Sequence, residues 1–308
     1  MDAAQEPMVG FASELRGYLE ASTEKYTACL GALDVGGTIG TPVTNLRFQY
    51  LRFDGNGMPK FTELARVLAE HVVEYSFSAR RRGHPVKPHE HARIHNDARK
   101  YFRKFAKGGE AGEMLLYFLL EAVLGAPQLV AKMEMKTNPN VENFGSDGIH
   151  MKWHDSDGLL DVYFGEAKLE QTVAAAVRNM LKSLEKFHRD GLLDFELSLV
   201  TTHYKHADER MKTEVLSMID KTHPSGNCRI NHACLIGYDW KEYGNLNGIK
   251  IGQLEEEFKK RYAAHLPEIV ALIKKRLGQF TQPHIRFEIF LLPFRTVQEF
   301  RDAFNQVI

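Results

Sequence analysis

Apolar and polar positions change period along the chain, and the changes separate helices from strands. Residues 8–21 have the spacing of a short amphipathic helix. Two strand-like runs follow, "YTACLGALDV" and "TNLRFQYLRF", separated by glycines and ending at the turn "DGNG". Helical spacing returns in "FTELARVLAEHVVEYSF" and in "GEAGEMLLYFLLEAVLG", the second apolar all round and so expected to be buried on more than one side. "QLVAKMEMKT" alternates like a strand. Later come the helix "TVAAAVRNMLKSLEKFH", a strand "FELSLVTTH", a helix over about 205–220 and a strand "CLIGYDW". A long charged helix containing Pro267, a strand "IRFEIFLLPF" and a short terminal helix complete the pattern. Strand and helix alternate, so an α/β fold is expected.

One segment breaks this regularity. "FGSDGIHMKWHDSDGLLDVYFGEAKLEQ", from Phe144 to Gln171, reads as two strands and a turn but carries acids where inward side chains belong. Strand alternation puts Val162, Phe164, Glu166 and Lys168 on one face. A turn centred on residues 155–158 sets Asp147 across from Glu166, with Cβ atoms about 4.5–5.5 Å apart; one bulge would shift that register. Two carboxylates at that separation repel unless they hold a hard cation. Mg²⁺ takes one or two carboxylates with waters and substrate phosphate oxygens, and it activates a bound water. Lys168 would orient that water or stabilise developing charge. The plain alternative is a surface ion pair of little energetic worth.

Acidic-x-Lys alone decides nothing, because it also occurs at Glu134/Lys136, Asp239/Lys241 and Glu257/Lys259. Only Glu166 ends an apolar strand, precedes a helix and has an aspartate one hairpin upstream.

Forty basic and forty acidic residues cancel, so any signal for an anionic partner must be local. Arg80–Lys107 supplies one, with ten Lys or Arg against Glu90 and Asp97. Lys100, Lys104 and Lys107 fall at helical spacing beside Arg99 and Arg103, a pattern suited to phosphate-backbone contact or to a merely solvated face. His84, His89, His91 and His95 lie among prolines 85 and 88, which argues against a closed zinc site. Cys29, Cys228 and Cys234 are odd in number without CxxC spacing, as expected of buried thiols in a reducing cytoplasm. No apolar run nears the roughly 18 residues of a membrane span, so a cytoplasmic protein is expected. "LDVGGTIG" is similar to the phosphate loops of sugar kinases but lacks their other motifs, and no GxxxxGK[ST] occurs.

"GSDGIHM" and "YFGEAK", preceded by "GEMLLYFLLEAVLG" and "KMEMKT", resemble the PD-(D/E)xK nuclease core in its helix, strand, hairpin, helix order. More narrowly they resemble the DUF1837 family, the HamA nuclease subunit of the Hachiman antiphage defence system, most strongly over about 110–205. "SFSARRRG" at 76–83 also resembles that family. The resemblance implies a restriction-endonuclease-like core, a mixed central sheet flanked by helices, with an N-terminal α/β extension. The expected segments are 1–109 (N-terminal α/β region), 110–240 (nuclease core) and 241–308 (helix and strand added to the core). It implies a Mg²⁺-dependent DNA nuclease, Mn²⁺ substituting, partnered by a superfamily 2 helicase, HamB. Carried over by position, Asp147 and Glu166 match the metal-binding acids, Lys168 the catalytic lysine and Glu113 the acid that often completes the site. Glu121 is the rival of Glu113, and Gln171 sits where a polar helper is common. No proline precedes Asp147; Ser146 stands there. A subunit that only binds DNA or docks on a helicase is the alternative from another class.

Overall fold

The computed structural model describes residues 10–83, 87–102, 108–135, 145–219 and 227–308. The first part forms α1 (Phe11–Arg16), α2 (Thr23–Cys29), β1 (Leu30–Ala32), β2 (Gly37–Ile39), β3 (Thr44–Leu51), α3 (Phe61–Glu70), α4 (Val72–Ser76), α5 (Ala79–Arg82) and α6 (Pro88–Arg99). Next come α7 (Glu110–Leu119), β4 (Ile149–His154), β5 (Leu159–Glu170), α8 (Val173–Arg189), α9 (Leu192–Thr202), α10 (Glu209–Ile219) and β6 (Cys228–Asp239). The chain finishes with α11 (Ile251–Leu277), β7 (Arg286–Phe294) and α12 (Val297–Val307).

The strands make one mixed sheet in the order β1-β3-β7-β6-β5-β4, with β2 also on β3. Its centre is parallel, β3 to β7, β7 to β6 and β6 to β5. Both margins are antiparallel, β4 on β5 and β1 and β2 on β3. The central strands read as nearly unbroken apolar runs because both faces are covered. On one face α3, α7 and α12 pack on Ala233, Leu235, Phe290 and Leu292. On the other, α8 and α11 pack on Cys234, Ile236, Ile289 and Leu291. Strands from residues 1–109, 110–240 and 241–308 therefore share a single sheet.

Most predicted elements form, and the exceptions have physical reasons. Tyr26–Cys29 is helical, because the Ser22 side chain caps α2 by accepting the Lys25 amide at 3.2 Å. "FELSLVTTH" lies in α9, where Glu196, Leu197 and Val200 turn inward at helical spacing; β5 already has β4 and β6 on its two sides. The strand expected at 128–137 is reduced to the bridges Gln128↔His150 and Val130↔Tyr204, followed by a 3-10 turn at Lys132–Met135. Helix α3 stops before α4 at His71, and β6 begins at Cys228, upstream of the expected "CLIGYDW".

Candidate active site

Strands β4 and β5 pair from Ile149↔Phe164 to His154↔Leu159, the register that a turn at 155–158 implies. Beyond Ile149 the ladder is irregular. The Asp147 amide donates to the Gly165 carbonyl at 2.8 Å, and the Gly165 amide donates to the Gly148 carbonyl at 2.9 Å. Asp147 and Gly148 thus both bond Gly165, as at a bulge. This corrects the straight opposition of Asp147 to Glu166. The Asp147 carboxylate reaches instead to the Ala167 amide, which donates to Oδ2 at 2.6 Å.

Ala167 lies between Glu166 and Lys168. Glu166 and Lys168 pair with Cys234 and Ile236 of β6 and so face the α8 and α11 layer. Lys168 Nζ contacts Glu166 Oε1, with Glu166 nearly buried and Lys168 about one quarter exposed. Glu113 comes from the opposite layer, on α7, whose Gly112 backs onto Ala167 and Leu169. Asp147, at the sheet edge, joins the two layers: Glu113 and Asp147 line one narrow crevice with Gly148, His150 and Gly165.

The electrostatics follow from this crowding. Burial, then the Glu166 and Glu113 charges, hold Asp147 well above the usual carboxylate range, against the opposing pull of Lys168 and the Ala167 amide. For Lys168, burial pulls downward, but the Glu166 and Asp147 carboxylates outweigh it and raise its affinity for a proton. The Tyr75 hydroxyl donates to Glu113 Oε2 at 3.3 Å. Burial and the charges of Glu113 and Asp147 keep that phenol protonated.

Among the described residues no three His, Cys, Asp or Glu side chains already stand together as a metal cluster. Asp147 and Glu166 nevertheless fit a hard divalent cation in kind. They are oxygen donors, they repel each other, and Mg²⁺ needs only one or two carboxylates when waters complete its shell.

Glu121, the rival of Glu113, is accounted for by structure. Its Oε2 accepts the Glu20 and Ala21 amides at 2.8 and 3.0 Å, and its Oε1 accepts that of Gln128 at 3.2 Å. It follows α7 in a π-helical turn, Leu120–Leu124.

Sequence reading misses the support beneath Asp147. Lys132 and Glu196, both buried, pair at 2.6 Å, and Glu196 also receives the amide and hydroxyl of Ser146. The signals were a lysine and a glutamate inside apolar runs, masked because both runs read as strands.

A family model for HamA matches residues 38–308. The chain belongs to the HamA family. No curated protein matches it. The match covers β3 to α12 and every candidate site residue, leaving α1, α2 and β1 outside, and it associates this HamA chain with Hachiman antiviral defence. No helix among the described residues is long and apolar enough to cross a membrane.

The other expected residues of this HamA fall elsewhere. Gln171 is exposed and lines a separate cleft of about 560 Å³ with Trp240, Arg261 and His265. Helix α6 ends at Arg99, and Lys100 caps it. Arg99 Nε donates to the Ile308 carbonyl at 2.5 Å, and exposed Lys100 pairs with Asp97 at 2.7 Å. Arg103, Lys104 and Lys107 lie outside the described residues.

Proposed function

We propose that this HamA is a metal-dependent deoxyribonuclease built on a PD-(D/E)xK core, hydrolysing DNA phosphodiesters as the effector of a defence complex with a helicase partner. The observation that carries the reading is the crowding of Asp147 by Glu166 and Glu113, with Lys168 beside them, next to edge strand β4. Asp147 and Glu166 would hold Mg²⁺, or Mn²⁺ in its place, with Glu113 as an outer or additional ligand. The bound cation would supply Lewis acidity toward the phosphodiester and a more acidic water.

The chain's own groups account for the rest. In hydrolysis a water oxygen bonds to phosphorus, the bond to the leaving oxygen breaks, and the protons lost by the water go to that oxygen, which leaves as an alcohol, and to solvent. Lys168 is kept protonated by its carboxylate neighbours, so it serves as a donor to a phosphate oxygen or to the attacking water rather than as a base. Tyr75, held neutral, keeps donating to Glu113 and fixes where that carboxylate points. Arg99 is engaged by the Ile308 carbonyl, so direct DNA contact by the basic stretch would fall to exposed Lys100 with Arg103, Lys104 and Lys107.

The second reading is a subunit that only binds DNA or docks on the helicase. Plasmid and linear DNA incubated with Mg²⁺, with and without the helicase, separate the two. Cleavage lost in Asp147→Ala, Glu166→Ala and Lys168→Ala supports the nuclease; cleavage equal in all four proteins removes this site, and none in any condition favours the binding subunit.

A further inference from the structure

The residue that matters most in the candidate site sits on a backbone turn with little regular structure to hold it. Strand β4 starts at Ile149, and Asp147 precedes it by two residues. The direction of its carboxylate therefore depends on what holds the backbone just before it.

Directly upstream the pin is visible. Lys132 Nζ donates to the Ser146 carbonyl at 2.5 Å and to Glu196 Oε1 at 2.6 Å. The Ser146 amide donates to Glu196 Oε1 at 3.2 Å and its hydroxyl to Glu196 Oε2 at 2.8 Å. Both polar atoms of the Ser146 backbone and its side chain are therefore held by one ion pair. That pair is sealed from water, with side-chain exposure of 3% for Lys132 and 0% for Glu196.

Gly145 completes the arrangement. It has φ +90°, and a Cβ there would come within 1.7 Å of Glu196 Oε1. The carboxylate fills the space that a side chain would take, so the turn closes directly onto it.

A buried ion pair is weak evidence for added stability, because desolvation offsets much of its attraction. It does impose geometry, since each partner left alone is a buried charge. Lys132 comes from the 3-10 turn after α7 and Glu196 from α9, so two separate elements converge on the residue before Asp147.

We propose that Lys132 and Glu196 are positioning residues for Asp147. Through Ser146 they fix the turn so that the Asp147 carboxylate stays on the Ala167 amide, between Glu166 and Glu113. The inference rests on the proposed metal site for its consequence, but the positioning itself does not require a metal.

Two readouts on the full chain test it separately. Hydrogen exchange at the Ala167 amide reports whether Asp147 stays in place, and calorimetric titration with Mg²⁺ reports whether the site binds. In Glu196→Gln, Ala167 should exchange roughly tenfold faster while the β6–β7 ladder keeps its protection. Mg²⁺ affinity should fall about 10- to 100-fold, as for residues that orient metal ligands. Unchanged exchange at Ala167 in a folded Glu196→Gln protein overturns the proposal. Wild type that binds no Mg²⁺ counts against the nuclease reading, and the exchange result still judges the positioning.

Should Glu196→Gln fail to fold, Ser146→Ala decides. It removes the hydroxyl contacts to Glu196 and to the Gly148 carbonyl, both of which hold the turn, and leaves the ion pair whole. A rise of about threefold in Ala167 exchange supports the pin, and no rise overturns it.

Discussion

The Asp147 carboxylate accepts the amide of Ala167 at 2.6 Å, and Ala167 is the residue between Glu166 and Lys168. One hydrogen bond thus ties the turn before β4 to the stretch of β5 that carries the other charged groups. It also places a carboxylate where β4 would otherwise have continued the ladder.

Mg²⁺ should stabilise the folded chain through this pair. At about 100 times the dissociation constant, one bound ion adds roughly 2.7 kcal/mol, which raises Tm by a few degrees in a protein of this size. Differential scanning fluorimetry with and without Mg²⁺ should show the rise in wild type and none in Asp147→Ala. Equal shifts in both would mean that the ion binds elsewhere.

Metal-free stability should depend on the charge of Asp147. Its proton affinity is raised on folding, so it favours the folded state at low pH and that contribution is lost as pH rises through its folded value. Asp147→Asn should therefore melt higher than wild type near pH 7.5 without metal, and the gap should close toward pH 4. A variant that melts lower at pH 7.5 would show that the Ala167 bond outweighs the repulsion.

Glu113 and Glu121 should separate by phenotype. Glu121→Ala leaves three backbone amides without their acceptor, a loss of about 3 kcal/mol or more in urea denaturation. Glu113→Gln should leave stability within about 1 kcal/mol and lower DNA cleavage by roughly tenfold or more. The reverse pattern would transfer the site role to Glu121.

Acid should destabilise the fold above the pH range in which ordinary carboxylates protonate. Burial lowers His71 to about 4 and His150, His206 and His232 to about 3. Folded-state values below the unfolded 6.5 mean stability that is full above pH 6.5 and lost as pH falls toward those values. Each such histidine contributes a slope of about 1.4 kcal/mol per pH unit in that window. Urea midpoints at pH 7, 6 and 5 should fall steeply, and a flat profile would show that these rings charge in place.

Local pattern carried much of this structure. The hairpin register was legible because the turn at 155–158 and the alternation of β5 allow one pairing, and both survive to Ile149. The bulge at Asp147 was not, since it arises where Gly145 and Ser146 meet Glu196, a residue 50 positions away. Lys132 and Glu196 stood inside apolar runs, and an apolar run of that length does not distinguish strand from helix. Glu113 could be placed at the start of a helix, but not told from Glu121 until the chain before α2 supplied the amides that bind the latter. Of the basic stretch, Arg103, Lys104 and Lys107 lie outside the described residues, while Arg99, the last residue of α6, is engaged by the Ile308 carbonyl.

The order of the strands also bears on synthesis. Strand β7 is the last of the described strands in chain order, yet it lies between β3 and β6, with β5 and β4 beyond. Without residues 286–294 the described strands would share no ladder between two groups, β1 to β3 on one side and β4 to β6 on the other. Asp147, Glu166, Lys168 and Glu113 all belong to the second piece and its helices, so they are translated before the strand that closes the sheet. A nascent or truncated chain would therefore carry the charged cluster without a finished fold to hold it, and its completion waits on the final segment.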